Sequence, residues 1–167
     1  PAALLRAVKR VEQAGKLVPR MVIPVDLFGL CADYDAIREI ADAHHLAVLE
    51  DGAQGFGAEY HGRRACSLGD IAATSFFPAK PLGCYGDGGA VFTDDDETAV
   101  RLRSLRVHGK GKTKYENNSL GLNARLDTIQ AAVLNCKLDL FEEEIALRNR
   151  VASWYHELLC SEVKKPE

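Results

Sequence analysis

The chain has 167 residues, 47% hydrophobic and 27% charged, with a formal net charge of −3. That length suits one domain with a real core, and the balance is that of an ordinary globular protein. Nothing in it asks for a nucleic-acid or membrane-surface partner. No apolar run is long enough for a membrane-crossing helix, and no signal-peptide pattern occurs. Five cysteines (Cys31, Cys66, Cys84, Cys136, Cys160) lack CxxC spacing. An odd, scattered set is expected to be reduced cytoplasmic thiols rather than a disulfide frame. The chain opens on Pro1 and its sole methionine is Met21, so a complete translation product is not expected.

Residues 2–15 read as a helix, with Leu4, Leu5, Val8 and Val11 in one stripe and Gly15 as its stop. Met21–Asp26 reads as a short buried strand, followed by a loop at Gly29. Asp33 is placed to cap a helix over 33–45 that carries Ile37, Ile40 and Ala41. Ala47–Glu50 is a second buried strand, 60–64 a surface turn, 70–77 a third strand and 88–93 a fourth. Asp94-Asp95-Asp96-Glu97 opens a helix through Val107, with arginines towards its end, a polarity that suits the helix dipole. Residues 109–119 read as an irregular, mobile loop. A helical pattern runs over 127–160, with a break expected near Leu138–Phe141, and 161–167 have little to bury.

Strands one and two are joined through a helix, so they should be parallel with a right-handed crossover. The connection between strands two and three allows the same. Strands three and four are separated by about ten Pro- and Gly-rich residues, too few for a helical crossover, so strand four should be antiparallel. The expected fold is α/β, three-layered, with a mainly parallel sheet and one antiparallel strand.

Two residues stand out chemically. Asp51 ends an apolar strand, and Lys80 follows another in Ser75-Phe76-Phe77-Pro78-Ala79-Lys80-Pro81-Leu82-Gly83. Pyridoxal phosphate needs such a pair, a lysine for a Schiff base and a carboxylate for the pyridinium nitrogen. Taken singly, Asp51 reads more readily as a cap or turn acid and Lys80 as a solvated surface lysine. The apolar and turn-forming neighbours of Lys80 imply partial desolvation, which favours a reactive amine. Gly52 and Ala53 leave room for a flat ring. Gln54 either donates to a ring substituent or braces the turn. Ser75 is a candidate phosphate ligand, and Asn123 and Arg125 project from the loop before the last helix. Gly83–Gly89 is neither a P-loop nor GxGxxG and reads as a tight turn, which disfavours a dinucleotide-binding domain. No metal-ligand cluster and no G-x-S-x-G elbow occur.

Together these segments resemble the DegT/DnrJ/EryC1/StrS sugar aminotransferases, which depend on pyridoxal phosphate. The resemblance is carried by Pro24–Gly29, Glu50–Ala58, Ser75–Gly83, Gly86–Ala90 and Gly121–Ala132, in matching order and spacing over nearly the whole chain. Ser75–Gly89 and Phe141–Arg148 look most similar to the UDP-sugar 3-aminotransferases of bacterial O-antigen synthesis. Those enzymes act on UDP-2-acetamido-2-deoxy-3-oxo-glucuronate with glutamate as donor.

The resemblance implies that Lys80 forms the Schiff base with pyridoxal 5'-phosphate and that Asp51 pairs with its ring nitrogen. It implies that Gln54 contacts the ring region, that Ser75 binds phosphate, and that Asn123 crosses a dimer interface to the partner's phosphate. Arg125 is implied near the shared substrate site. Gly52 stands where alanine is more frequent. A related sugar dehydratase carries histidine at the lysine position, so Lys80 argues against it. Family members are longer. Residues 1–167 would be a single partial domain, the central part of a fold-type I large domain. It would lack the N-terminal phosphate loop and stacking aromatic, and also the C-terminal small domain. A truncated sheet exposes an edge, so a homodimer or higher assembly is expected. The competing expectation is a catalytically inactive chain that folds and self-associates without cofactor.

Overall fold

A computed structural model describes residues 1–113, 115–160 and 163–164. Among these residues six strands and four α-helices form in the order α1 (Ala2–Ala14), β1 (Met21–Val22), α2 (Tyr34–Ala43), β2 (Ala47–Asp51), β3 (Glu59–Tyr60), β4 (Arg63–Arg64), β5 (Ile71–Ser75), β6 (Gly89–Phe92), α3 (Asp96–Leu105) and α4 (Thr128–Leu158), with a short 3-10 turn at Leu27–Gly29 after β1. The main sheet has the order β1-β2-β5-β6. β1, β2 and β5 are parallel and β6 is antiparallel to β5, as loop lengths require. The α/β class and the mainly parallel sheet with one antiparallel strand are both present.

Local chemistry explains most boundaries. Gly15 takes the left-handed conformation that ends α1. Asp33 caps α2 by accepting from the Ala36 N–H at 3.2 Å, and Asp95 caps α3 from the Thr98 N–H at 2.6 Å. Beyond α3, the Gly109 N–H returns to the Ser104 carbonyl at 2.9 Å.

Two expectations need correction, a buried first strand and a break in the last helix, and other segments gain detail. β1 is only two residues long, with one further bridge from Val25 to Asp51. Pro24 has no N–H to give the ladder. β1 is also an edge rather than a buried strand, and Met21, Ile23 and Val25 are about half exposed. The expected surface turn at 60–64 is present, as the turn of a hairpin, β3–β4, on His61 and Gly62 at φ 49 and 80. α4 runs unbroken through 138–141, because Thr128–Leu158 contains no glycine or proline and Phe141 is a buried anchor. Asp127 precedes α4 without making a side-chain cap bond. Within 109–119 a bridge joins Lys110 and Asn117.

Partnered residues share a face of the sheet and successive ones alternate. Val22, Val48, Ala72 and Ala90 therefore lie on one side. There, α1 and α2 pack through Val8, Tyr34 and Ala41, and α4 packs through Leu134 and Phe141 against Phe76 and Ala90. Phe56 meets Phe76 edge-on at 5.9 Å. All five cysteines are free, and among the described residues no helix is long and apolar enough to cross a membrane.

Candidate functional site

Asp51 ends β2 and Ser75 ends β5, and Asp51 lies opposite Ala73 in the parallel register. Alternation puts Asp51, Ala73 and Ser75 on one face, the side away from Val48 and Ala72. The residue of β5 between them on this face is Ala73, which carries only a methyl group. Asp51 is half-buried and its Oδ1 accepts from the Ala53 N–H at 3.1 Å. Ser75 Oγ accepts from the Phe77 N–H at 3.2 Å, which leaves its own hydrogen to donate.

Lys80 lies on the turn that follows β5. Its N–H donates to the Phe77 carbonyl at 2.8 Å. The segment is pinned on both sides: the Phe76 N–H reaches the Gly88 carbonyl, and the Cys84 N–H returns to the Phe76 carbonyl, both at 2.8 Å. Glycine is required at 83, where a Cβ would stand 2.5 Å from the Pro78 carbonyl oxygen. Lys80 is half-buried, as its neighbours implied. Among the described residues its ammonium makes no hydrogen bond or ion pair.

Gln54 braces its turn. Its Oε1 accepts from the Phe28 N–H at 2.8 Å, holding Phe28 at φ 58; its amide nitrogen remains a donor. Asn123 and Arg125 are exposed and tied to each other, Arg125 Nε donating to Asn123 Oδ1 at 2.9 Å. Asn123 also bridges Val107. The structure thus brings Asp51 and Ser75 onto one face beside the Lys80 turn. No hydrogen bond or ion pair joins Asn123 or Arg125 to them among the described residues. A cavity of about 1330 Å³ between β6, α3 and residues 120–126 includes Arg125 and Ala73 but not Asp51 or Lys80. A smaller one of about 480 Å³ is lined by Gln54, Pro81, Phe141 and Arg148.

Two groups received no role from the sequence. Asp26 and Glu50 are both fully buried. Glu50 Oε2 accepts from the Leu68 and Gly69 N–H groups at 2.8 and 3.3 Å, and Oε1 from the Cys66 N–H. Asp26 Oδ1 accepts from the Tyr34 hydroxyl at 2.9 Å and the Ala32 N–H at 3.1 Å. Burial and the neighbouring Glu50 push the Asp26 carboxyl up to about 6, against the Ala32 and Tyr34 hydrogen bonds. An acid buried by an apolar, alternating strand was the available signal: residues 22, 24 and 26 face the same way as 48 and 50.

Gly52 also points to that helix-packed side. A Cβ there would lie 2.6 Å from Cys66 Sγ. Glycine at 52 is therefore demanded by Cys66, on the side away from the Asp51–Ser75 face.

The DegT/DnrJ/EryC1/StrS aminotransferase family matches residues 1–165. A UDP-2-acetamido-2-deoxy-3-oxo-D-glucuronate aminotransferase of Pseudomonas aeruginosa is 56% identical over 136 residues, covering 81% of this chain and 38% of that protein. The crystal structure of a DegT DnrJ EryC1 StrS aminotransferase from Brucella abortus superposes with a TM-score of 0.89 at 51% identity, over 90% of this chain and 40% of that one. S. venezuelae DesV in complex with a ketimine intermediate gives 0.83 at 47% identity, over 90% and 40%. The chain spans about 40% of the length of these relatives. A family match along almost every residue, with the strand-end acid and post-strand lysine placed as described, settles kinship: the chain belongs to the DegT/DnrJ/EryC1/StrS aminotransferase family.

Proposed function

We propose that this chain supplies the cofactor-binding core of a pyridoxal-phosphate-dependent aminotransferase acting on a nucleotide-linked keto sugar. One observation carries the reading. Asp51, Ala73 and Ser75 share a face at the carboxyl ends of neighbouring parallel strands, and the half-buried, unpaired Lys80 lies on the next turn. The donor set fits the group: Lys80 would hold it covalently, Asp51 would meet its ring nitrogen, and Ser75 would bind its phosphate. Gln54 would meet the ring region through its free amide hydrogens. Asn123, exposed on its loop, would reach the phosphate of a second copy, with Arg125 beside the substrate.

When bound, pyridoxal phosphate supplies an electron sink for the carbon next to the migrating nitrogen. The chain's own residues do the rest. Lys80 takes and returns a proton at Nζ once its amine is free. The carboxylate of Asp51, oriented by the Ala53 N–H, holds a positive charge opposite it; preorganised electrostatics of this kind contribute several kcal/mol. The similarity to the Pseudomonas protein supports a UDP-linked 3-keto sugar as substrate, with an amino acid such as glutamate as donor and a place in O-antigen synthesis. The exposed apolar edge at Met21, Ile23 and Val25 supports a homodimer or higher assembly.

A chain that folds and self-associates without cofactor is the competing reading, favoured by the cavity that Arg125 lines without Asp51 or Lys80. Titration with pyridoxal phosphate, followed by absorbance, separates the two. Binding by the wild-type chain, weakened at least tenfold by Asp51→Ala (about 1.4 kcal/mol), supports the aminotransferase core. Equal affinity in both proteins, or no binding by either, overturns it.

A further inference from the structure

We propose that Asp26 and Glu50 form a proton-sharing carboxyl pair that fixes the strand end carrying Asp51, a positioning unit beneath the site. Both side chains are fully buried, and two ionised carboxylates side by side in such a place are very costly. Asp26 Oδ2 is the telling atom. It is buried and has no hydrogen-bond partner, while the bridge between Val25 and Asp51 brings the segments of Asp26 and Glu50 side by side and Glu50 is among the groups that raise the Asp26 carboxyl. A proton on Asp26 turns that orphan into a donor to Glu50. The surroundings are packed closely: a Cβ on Gly55 would stand 2.7 Å from the Asp26 Cβ and 3.0 Å from Oδ2.

The remaining groups facing the pair are also acids. Tyr34 from α2 is pushed up by burial and by Glu50 and Asp26. Cys31, before α2, is pushed up to about 11 by burial and then by both carboxylates. Cys66, after β4, is pushed up to about 12 by burial and then by Glu50. No lysine or arginine is among the groups acting on Asp26, so a proton is the available neutralising charge.

The link to Asp51 is through the backbone. The Asp26 N–H donates to the Asp51 carbonyl at 3.0 Å, and the Asp51 N–H to the Pro24 carbonyl at 2.9 Å. Glu50 immediately precedes Asp51 and points to the opposite face. It ties the strand to the 66–69 loop through three N–H groups. Locking Asp26 to Glu50 therefore holds the segment after β1 against the end of β2, just past the bridge from Val25 to Asp51.

The test compares wild type with Asp26→Asn and Asp26→Ala. Asparagine keeps a donor towards Glu50 at every pH, whereas alanine removes it. The sign follows from the raised folded value: the pair stabilises fully below the unfolded aspartate value of 3.8 and loses that contribution as pH rises through about 6. Stability of wild type relative to Asp26→Asn, from urea unfolding, should fall between pH 4 and pH 7. Infrared spectra at pH 5 should show a protonated-carboxyl C=O stretch that Asp26→Asn lacks. A pH-independent difference, or an unchanged stretch, overturns the pair.

The positioning role rests on the proposed function and has its own readout. Pyridoxal phosphate should bind Asp26→Asn as it binds wild type and should bind Asp26→Ala at least tenfold more weakly. Equal binding by all three overturns the positioning role. If wild type itself binds none, the cofactor reading fails, while the unfolding and infrared results still decide the proton-sharing pair.

Discussion

Substituting Gly52 with alanine tests whether the closeness of Cys66 governs that position. The added methyl carbon would sit 2.6 Å from Cys66 Sγ, 3.5 Å from the Ala73 carbonyl oxygen and 3.8 Å from Glu50 Oε1. Only the first is a clash, since carbon contacts become favourable at roughly 3.5 Å. The cysteine cannot retreat easily: it is buried, its backbone holds φ 70, and its N–H is bound by Glu50. Overpacking of this kind costs about 1–3 kcal/mol. Replacing glycine by alanine recovers roughly 0.4–1 kcal/mol through the unfolded chain. The net expectation for Gly52→Ala is a loss of about 1–2 kcal/mol, on the order of 2–4 °C in Tm for each kcal/mol. Cys66→Ala removes the obstructing sulfur, so the double variant should be more stable than the two single effects added together. Urea unfolding of all four proteins gives the coupling, expected to exceed about 1 kcal/mol. Single effects that simply add, or Gly52→Ala as stable as wild type, would refute the steric argument.

Other expectations concern the framework. Phe141→Ala should cost about 3–5 kcal/mol in chemical unfolding, because Phe141 anchors unbroken α4 against Phe76 and Phe56; a loss below 1 kcal/mol would mean α4 packs elsewhere. Asp33→Ala should cost about 1 kcal/mol by removing the α2 cap, and Asp33→Ser should restore most of it; equal stability of all three would refute the capping role. Size-exclusion chromatography should show a dimer or larger species that Ile23→Lys on the exposed β1 edge converts towards monomer; a wild-type monomer would refute assembly through that edge.

Sequence was a good guide wherever a local rule had no rival. The cap at Asp33, the acidic opening of α3 and the stop at Gly15 follow from side-chain chemistry within four residues, and each forms. The antiparallel β6 followed from a connection too short for a helix. β1 failed because apolar content alone does not distinguish an edge strand from a central one, and Pro24 removes a ladder donor. The break expected at 138–141 failed because a locally amphipathic irregularity cannot interrupt a helix that holds no glycine or proline. The placement of Asp51 and Ser75 at strand ends and of Lys80 on the following turn was legible because apolar neighbours mark those ends in one dimension. Asp26–Glu50 and Gly52–Cys66 were not. Each pair joins separate segments and depends on register and side-chain direction that only the folded sheet supplies.

The most direct measurement is covalent. Pyridoxal phosphate is added, the adduct is fixed with borohydride, and digested peptides are read by mass spectrometry. One dominant label is expected, on Lys80, absent after Lys80→Ala. Label spread over surface lysines with Lys80 unmodified would contradict it.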